Sequence, residues 1–428
     1  MANYCRREVL YGFIIMMGAL NFGFCVGFAS PLAPFFQKHW ETPETQTTLF
    51  NAILSLLAII GPYIATFLLR FLGRRPVFCI LQFASGVIYL LMIIANKNRF
   101  WVLILMRALM GLAIGGISST TPTMLVEVAP EGLSGFFGNL TQTGVCLGSI
   151  IVYLVGNWTA NVDKKAYKWW AIPVTTASFN FLSCALIWLC PETGNQVPKE
   201  NKTDDEGEKE RLCQKKYLGK LFVGIMLMII QQFCGINAIV TNLDDNLRTV
   251  KVPIDSGIAS AISMFMMIVG VFIGGFAIDK MGRKPLFTIS CLGCGYSLIV
   301  YACCYHFKWP AAISLVCISL YLFFFGFALG PVPWYCIPEL FPPSLRSLGN
   351  SIISTTNQLF TFLIIFLFPV MTGKKDPETS EFSGGMGYMP TCIFFAVCSI
   401  LGGVFGWFMI TEPDETLNSP MLDDNPSD

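Results

Sequence analysis

Leu72-Gly73-Arg74-Arg75-Pro76-Val77-Phe78 lies between two long apolar stretches, and Met281-Gly282-Arg283-Lys284-Pro285-Leu286-Phe287 takes the same place one half-chain later. A second pair keeps the order. Glu127-Val128-Ala129-Pro130 closes one apolar stretch, and Glu339-Leu340-Phe341-Pro342 closes another. A 428-residue chain whose two halves match in this way, each dominated by apolar spans, has the repeat pattern of secondary transporters. In these the halves rock about a site near the membrane midplane.

Composition agrees. Hydrophobic residues make up 54% of the chain, charged residues 13%, and the mean hydropathy is +0.61; a typical soluble domain is about 25% charged. No water-soluble fold could hide so much apolar surface, so the lipid bilayer has to act as solvent and partner. The net charge of +1 gives no attraction to nucleic acid, and none is expected as a partner.

Sixteen cysteines raise the question of disulfides or metal. Most, like Cys146, Cys184, Cys317 and Cys398, stand inside apolar runs, where a small weakly polar side chain packs well. Cys291 and Cys294 form a CxxC without a second pair of ligands, so neither a metal nor a cofactor is expected. The two histidines, His39 and His306, are expected in loops facing away from the termini. Arg6 and Arg7 precede an apolar run that is too long for a secretory signal, and the run reads as the first span.

Runs of about 20 apolar residues suffice to cross a bilayer. They are expected near 9–29, 48–69, 76–95, 100–121, 136–156, 169–190, 220–240, 256–278, 285–305, 311–335, 347–370 and 389–410. The fold class is thus all-α: twelve transmembrane helices in two pseudo-symmetric six-helix bundles, 1–190 and 220–410. A mixed-charge linker, 191–219, joins them, and an acidic tail, 411–428, follows. An even number of spans puts both termini on one side. The basic clusters at Arg70, Arg74 and Arg75 and at Lys280, Arg283 and Lys284 assign that side to the cytoplasm. Asn157-Trp158-Thr159 is a glycosylation acceptor triplet in an expected external loop.

At the seventh span the chain reads Gln231-Gln232-Phe233-Cys234-Gly235-Ile236-Asn237. This resembles the QQ-x-x-GIN motif of the sugar-porter family of the major facilitator superfamily. Three further stretches resemble the same family in the right order: Gly330-Pro331-Val332-Pro333-Trp334 with Glu339 and Arg346 beyond it, Pro191-Glu192-Thr193 after the sixth span, and Phe22 to Pro31 in the first. The resemblance implies a sugar site among Gln142, Gln231, Gln232, Asn237, Trp334, Asn357 and Gln358. A neutral hexose offers hydroxyls that donate and accept together with an apolar ring face. Amides can answer the first and tryptophan the second, without charge. On an unbroken helix Gln231, Gln232 and Asn237 would stand at about 0°, 100° and 240°, which no single face presents. A break at Gly235 would turn Asn237 inward.

The resemblance also locates energy coupling. Proton-coupled members carry an aspartate where this chain has Cys25, while the matching arginine remains as Arg107. With no titratable acid there, a facilitator is expected, and Arg107 should meet carbonyls or an aqueous cavity. The family's inner gate is complete in the second half, with Asp279, Arg283, Lys284, Glu339 and Arg346. The first half departs from it, with Arg70 for the usual aspartate and Ser134 for an arginine, so Glu127 must rely on Arg74 or Arg75. Loss of one such pair predicts a bias toward the inward-facing state. Met267, Thr241 and Asn242 replace polar or tyrosine positions of the family, which leaves the sugar open. Glucose is first choice, with fructose, galactose or another polyol behind it.

The function expected is therefore hexose transport by alternating access in a multi-pass plasma-membrane protein, with no obligate protein partner. A non-transporting sugar sensor and a carrier of another small organic solute are the alternatives. No His, Asp or Ser constellation at one depth suggests an enzyme.

Overall fold

The computed structural model describes residues 2–130, 134–159, 168–192, 214–250, 252–334, 341, 343–375, 382–383 and 385–410. Among these, twelve helices are long and apolar enough to span a membrane: Arg7–His39, Glu44–Leu69, Arg74–Met92, Lys97–Val128, Phe136–Thr159, Ala171–Leu189, Tyr217–Thr241, Ser256–Ile278, Arg283–His306, Ala311–Trp334, Ser351–Thr372 and Tyr388–Met409. All twelve expected spans are present. Large apolar side chains turned outward, such as Phe276 at 75% exposure and Phe408 at 74%, need lipid around them.

Two spans outrun their expected ends. The first continues as a second helical segment, Ala29–His39. Pro31 falls in its first turn, where a missing N–H costs nothing. The fourth runs on to Val128 through Pro122. Both extensions are largely buried in protein, through Leu32, Phe35 and Phe36 in the first and Met124 and Leu125 in the second, so packing carries these helices past the apolar run that hydropathy singles out. His39 and His306 accordingly close helices and do not lie in loops. Between the last two spans Lys374–Lys375 and Phe382–Ser383 form a short antiparallel pair.

Each half has its own core. Phe24, Phe28, Phe36, Phe50 and Tyr89 pack in the first half, and Leu286, Phe287, Tyr301, Tyr321 and Phe395 in the second. The fifth span packs along the eighth and the second along the eleventh. Tyr63 accepts a hydrogen bond from Thr355 across the latter seam at 3.1 Å.

Further ties between the halves gather at the face opposite the termini. The Asp244 backbone N–H donates to Ser30 Oγ at 2.9 Å, the Tyr153 hydroxyl to the Val240 carbonyl at 2.9 Å, and Asn157 Nδ2 to Asp255 Oδ2 at 3.3 Å. The last of these corrects an expectation. Asn157 is in the final turns of a helix, 4% exposed, with its amide committed to the other half. A three-residue sequence pattern carries no information about either circumstance.

Candidate functional site

The seventh span is broken where the sequence suggested. Helix Lys215–Phe233 stops, Gly235 takes φ +87°, and Ile236–Thr241 resumes. Only glycine enters that region without strain, and a Cβ there would also strike the Phe395 ring. Asn237 is thereby brought back over Gln232, and its Nδ2 donates to Gln232 Oε1 at 2.6 Å and to Thr361 Oγ1 at 3.3 Å.

The eleventh span supplies the other wall. Asn357 Nδ2 donates to Gln231 Oε1 at 2.9 Å and meets Met228 Sδ at 3.2 Å; one turn on, Thr361 donates to the Asn357 carbonyl at 2.8 Å. Gln231 Nε2 reaches the tenth span, donating to the carbonyls of Leu329 at 3.1 Å and Gly330 at 2.8 Å. Four of the seven expected residues, Gln231, Gln232, Asn237 and Asn357, therefore share one hydrogen-bonded network. Gln358 is buried beside it at 3% exposure. Trp334 is half-buried against a cluster containing Met228 and so adjoins the network through that side chain. Gln142 is half-buried on the fifth span, one turn before Cys146, which packs in the same core as Cys234 and Ile236. Met267 is buried against the tenth span, and Asn242 bonds back to the Ala238 carbonyl.

Arg107 is 2% exposed and meets carbonyls, as expected for one of its two options. Nη1 donates to Cys25 O at 2.9 Å and Nε to Phe50 O at 3.4 Å. Its guanidinium carbon lies 5.0 Å from the Phe50 ring centre and 5.6 Å from that of Phe28. The Cys25 thiol is 3.1 Å from the Tyr89 hydroxyl.

On the face bearing the termini, Glu127 pairs with Arg74 at 2.6 Å. Arg75 takes a different partner, Glu192, at 3.2 Å. Glu192 also accepts the backbone N–H groups of Arg74 at 2.5 Å and Arg75 at 3.2 Å, at the positive end of the third helix. Glu192 is a charge partner that the sequence alone does not single out. It is the centre of the Pro191-Glu192-Thr193 motif, and that was its signal. In the second half, Lys284 Nζ lies 5.4 Å from the Trp407 ring centre and Arg283 is half-buried. Glu339 and the side chains of Asp279 and Arg346 fall outside the described residues.

A family model described as "Sugar (and other) transporter" matches residues 11–208 and 194–416. The glucose transporter GlcP of Staphylococcus epidermidis is 28% identical over 401 residues, 85% of this chain and 87% of that protein. A D-xylose transporter of Levilactobacillus brevis is 29% identical over 410 residues, 85% and 87% of the two chains. Among solved structures, the partially occluded inward-open xylose transporter XylE from E. coli superposes with a TM-score of 0.76 at 18% identity, covering 95% of this chain and all of that one. With the fold and the duplicated motifs in place, the chain belongs to the sugar (and other) transporter family of the major facilitator superfamily, whose members are carriers and not enzymes.

Proposed function

We propose that this protein carries a neutral hexose, glucose first, down its gradient by alternating access, without proton coupling. The observation that carries this reading is the uncharged amide network at the broken midpoint of the seventh span. Gln232 uses only its carbonyl oxygen there, and its NH2 has no protein partner among the described residues. Asn237 and Asn357 spend their NH2 groups on neighbours and keep their carbonyl oxygens for a guest. With Gln358, Gln142 from the other half and the Trp334 ring, these groups suit a hydroxylated ring. A carrier must also release its cargo, so millimolar binding, about −4 kcal/mol, is enough.

The facilitator reading rests on Cys25 and Arg107. The arginine is held by backbone carbonyls and faces a thiol, so the pair lacks a carboxylate to take up and release a proton. Residues 1–190 and 220–410 act as the rocking halves, joined by 191–219. The face with the termini, including the tail 411–428, is cytoplasmic by its basic clusters, and the membrane is the plasma membrane. There Arg74, Arg75 and Glu127, with Asp279, Arg283, Lys284, Glu339 and Arg346, form the inner gate. The ties at the opposite face support an outward-closed resting state.

Xylose is the second candidate, since the relative from Levilactobacillus brevis is named for it. Counterflow of labelled sugars into proteoliposomes, with a pH-sensitive dye inside, tests both points. Saturable glucose exchange without acidification is expected. Stoichiometric proton entry would overturn the facilitator reading, and sugar binding without exchange would leave a sensor.

A further inference from the structure

The seam between the fifth and eighth spans has the same construction at both ends. Near the face opposite the termini, Asn157 occupies the space that a Cβ on Gly257 would take. Near the face bearing the termini, the Asn139 amide nitrogen occupies the corresponding space at Gly275. The asparagines stand 18 residues apart on one helix, Ser134–Thr159, and the glycines 18 apart on the other, Ser256–Met281. At 100° per residue this is five whole turns, about 27 Å, so each pair keeps to one face of its helix. Both asparagines are buried.

Between its ends the seam changes character. Cys146 and Ile150 follow Asn139 by 7 and 11 residues and share its face; Met264 and Ile268 follow Gly257 at the same intervals. All four belong to one apolar cluster. Close packing holds such a stretch together, and it offers water no group to bond. The ends differ. An asparagine that leaves a glycine exposes an amide that water takes up, so an end parts at small cost. Glycine lets the other helix approach closely, and any side chain in its place would hold that end apart.

We infer that Asn139 and Gly275 form an uncharged latch between the halves on the face with the termini. Asn157 and Gly257 are its counterpart on the other face, and the apolar stretch between them is the pivot. The inference rests on the sugar-carrier reading above and adds to its charged inner gate a contact within the spans. Bulk at Gly275 keeps the termini face from closing, and bulk at Gly257 keeps the opposite face from closing. The two glycines therefore bias the carrier in opposite senses.

The test uses the full chain in proteoliposomes, with Asn242→Cys reporting on the face opposite the termini. An external membrane-impermeant maleimide labels it, and the rate for protein without the reporter is subtracted. Gly275→Ala should slow labelling about threefold and Gly257→Ala should speed it about threefold. Mere destabilisation would move both the same way. Asn139→Ala removes the latch without adding bulk and should also slow labelling. Gly275→Ala added to it should change the rate by less than about 1.5-fold, because the amide to be displaced is gone. If a glycine variant fails to fold, Asn139→Ala and Asn157→Ala supply the same contrast, slower against faster. Shifts in one direction, no shift, or a full Gly275→Ala effect in the Asn139→Ala background overturn the latch. Glucose counterflow by the unmodified protein is measured alongside. Its absence would fail the carrier reading, while the opposed labelling shifts would still decide the latch.

Discussion

The Tyr153 hydroxyl donates to the Val240 backbone carbonyl at 2.9 Å, joining the fifth span to the far segment of the broken seventh across the two halves. A single bond of this kind contributes about 1 kcal/mol, so Tyr153→Phe should shift the empty carrier about fivefold toward opening on that face. A cysteine placed at Asn242 should then react faster with an external membrane-impermeant maleimide. Unchanged labelling would remove this bond from the closure.

Asp244 gives that closure a pH dependence. Burial pushes its carboxyl above the ordinary value of 3.8, with Arg248 and Ser256 opposing and Asp245 adding to the rise. Ser30 meets its backbone N–H from the first span, and the Tyr153 hydroxyl lies within its field. Opening would hydrate the group and return it toward the ordinary value. The closed form therefore holds the proton more tightly and gains as external pH falls through the raised value toward 3.8. Acidifying the outside should slow labelling at Asn242→Cys, and Asp244→Asn should abolish the effect. Persistence of the dependence in that variant would place the titrating group elsewhere.

Asn237 ties the two sides of the break to the eleventh span. Asn237→Ala frees the Gln232 oxygen and, on the proposed sugar-carrier reading, takes away one contact to the sugar, so half-saturation should rise about tenfold or more at unchanged surface expression. Unaltered uptake would exclude Asn237 from the site.

Glu192 and Glu127 look alike in sequence, yet Glu192 accepts two backbone N–H groups at a helix start as well as the Arg75 side chain. Glu127 meets Arg74 from a 29% exposed position. Glu192→Ala should destabilise by about 1–2 kcal/mol, and Glu127→Ala by about 1 kcal/mol or less. Thermal melting of the two purified variants should rank them in that order.

Arg107→Lys keeps the charge but loses the fork that serves two carbonyls. The Phe50 carbonyl and both ring contacts are weakened, which should lower stability by about 1–2 kcal/mol. A melting temperature equal to the parent's would show that the ammonium finds the same partners.

The architecture could be read from sequence because lipid imposes long apolar runs, and the paired loops fixed their grouping. The amides were legible for a similar reason: uncharged polar side chains in an apolar helix stand out, and Gly235 between them announced the break. Thr361 and Met228 were missed because neither differs from ordinary span residues until Asn357 is placed beside them. The carbonyls of Leu329 and Gly330 carry no side-chain signal. Pro333 is a trace for Leu329 alone, whose carbonyl a helical N–H at that position would serve.

The two copies of the opening motif share their glycine for different reasons. Gly73 has an ordinary extended backbone, φ −68° and ψ 173°, but any Cβ on it would collide with the Glu192 carboxylate. Gly282 sits at φ +80°, where a side chain is unwelcome whatever its neighbours. An ancestral duplicate has thus diverged in purpose without changing its letter. The loops are no longer interchangeable parts, and a chimera that exchanged them would have to recreate an anion's seat on one side and a left-handed bend on the other.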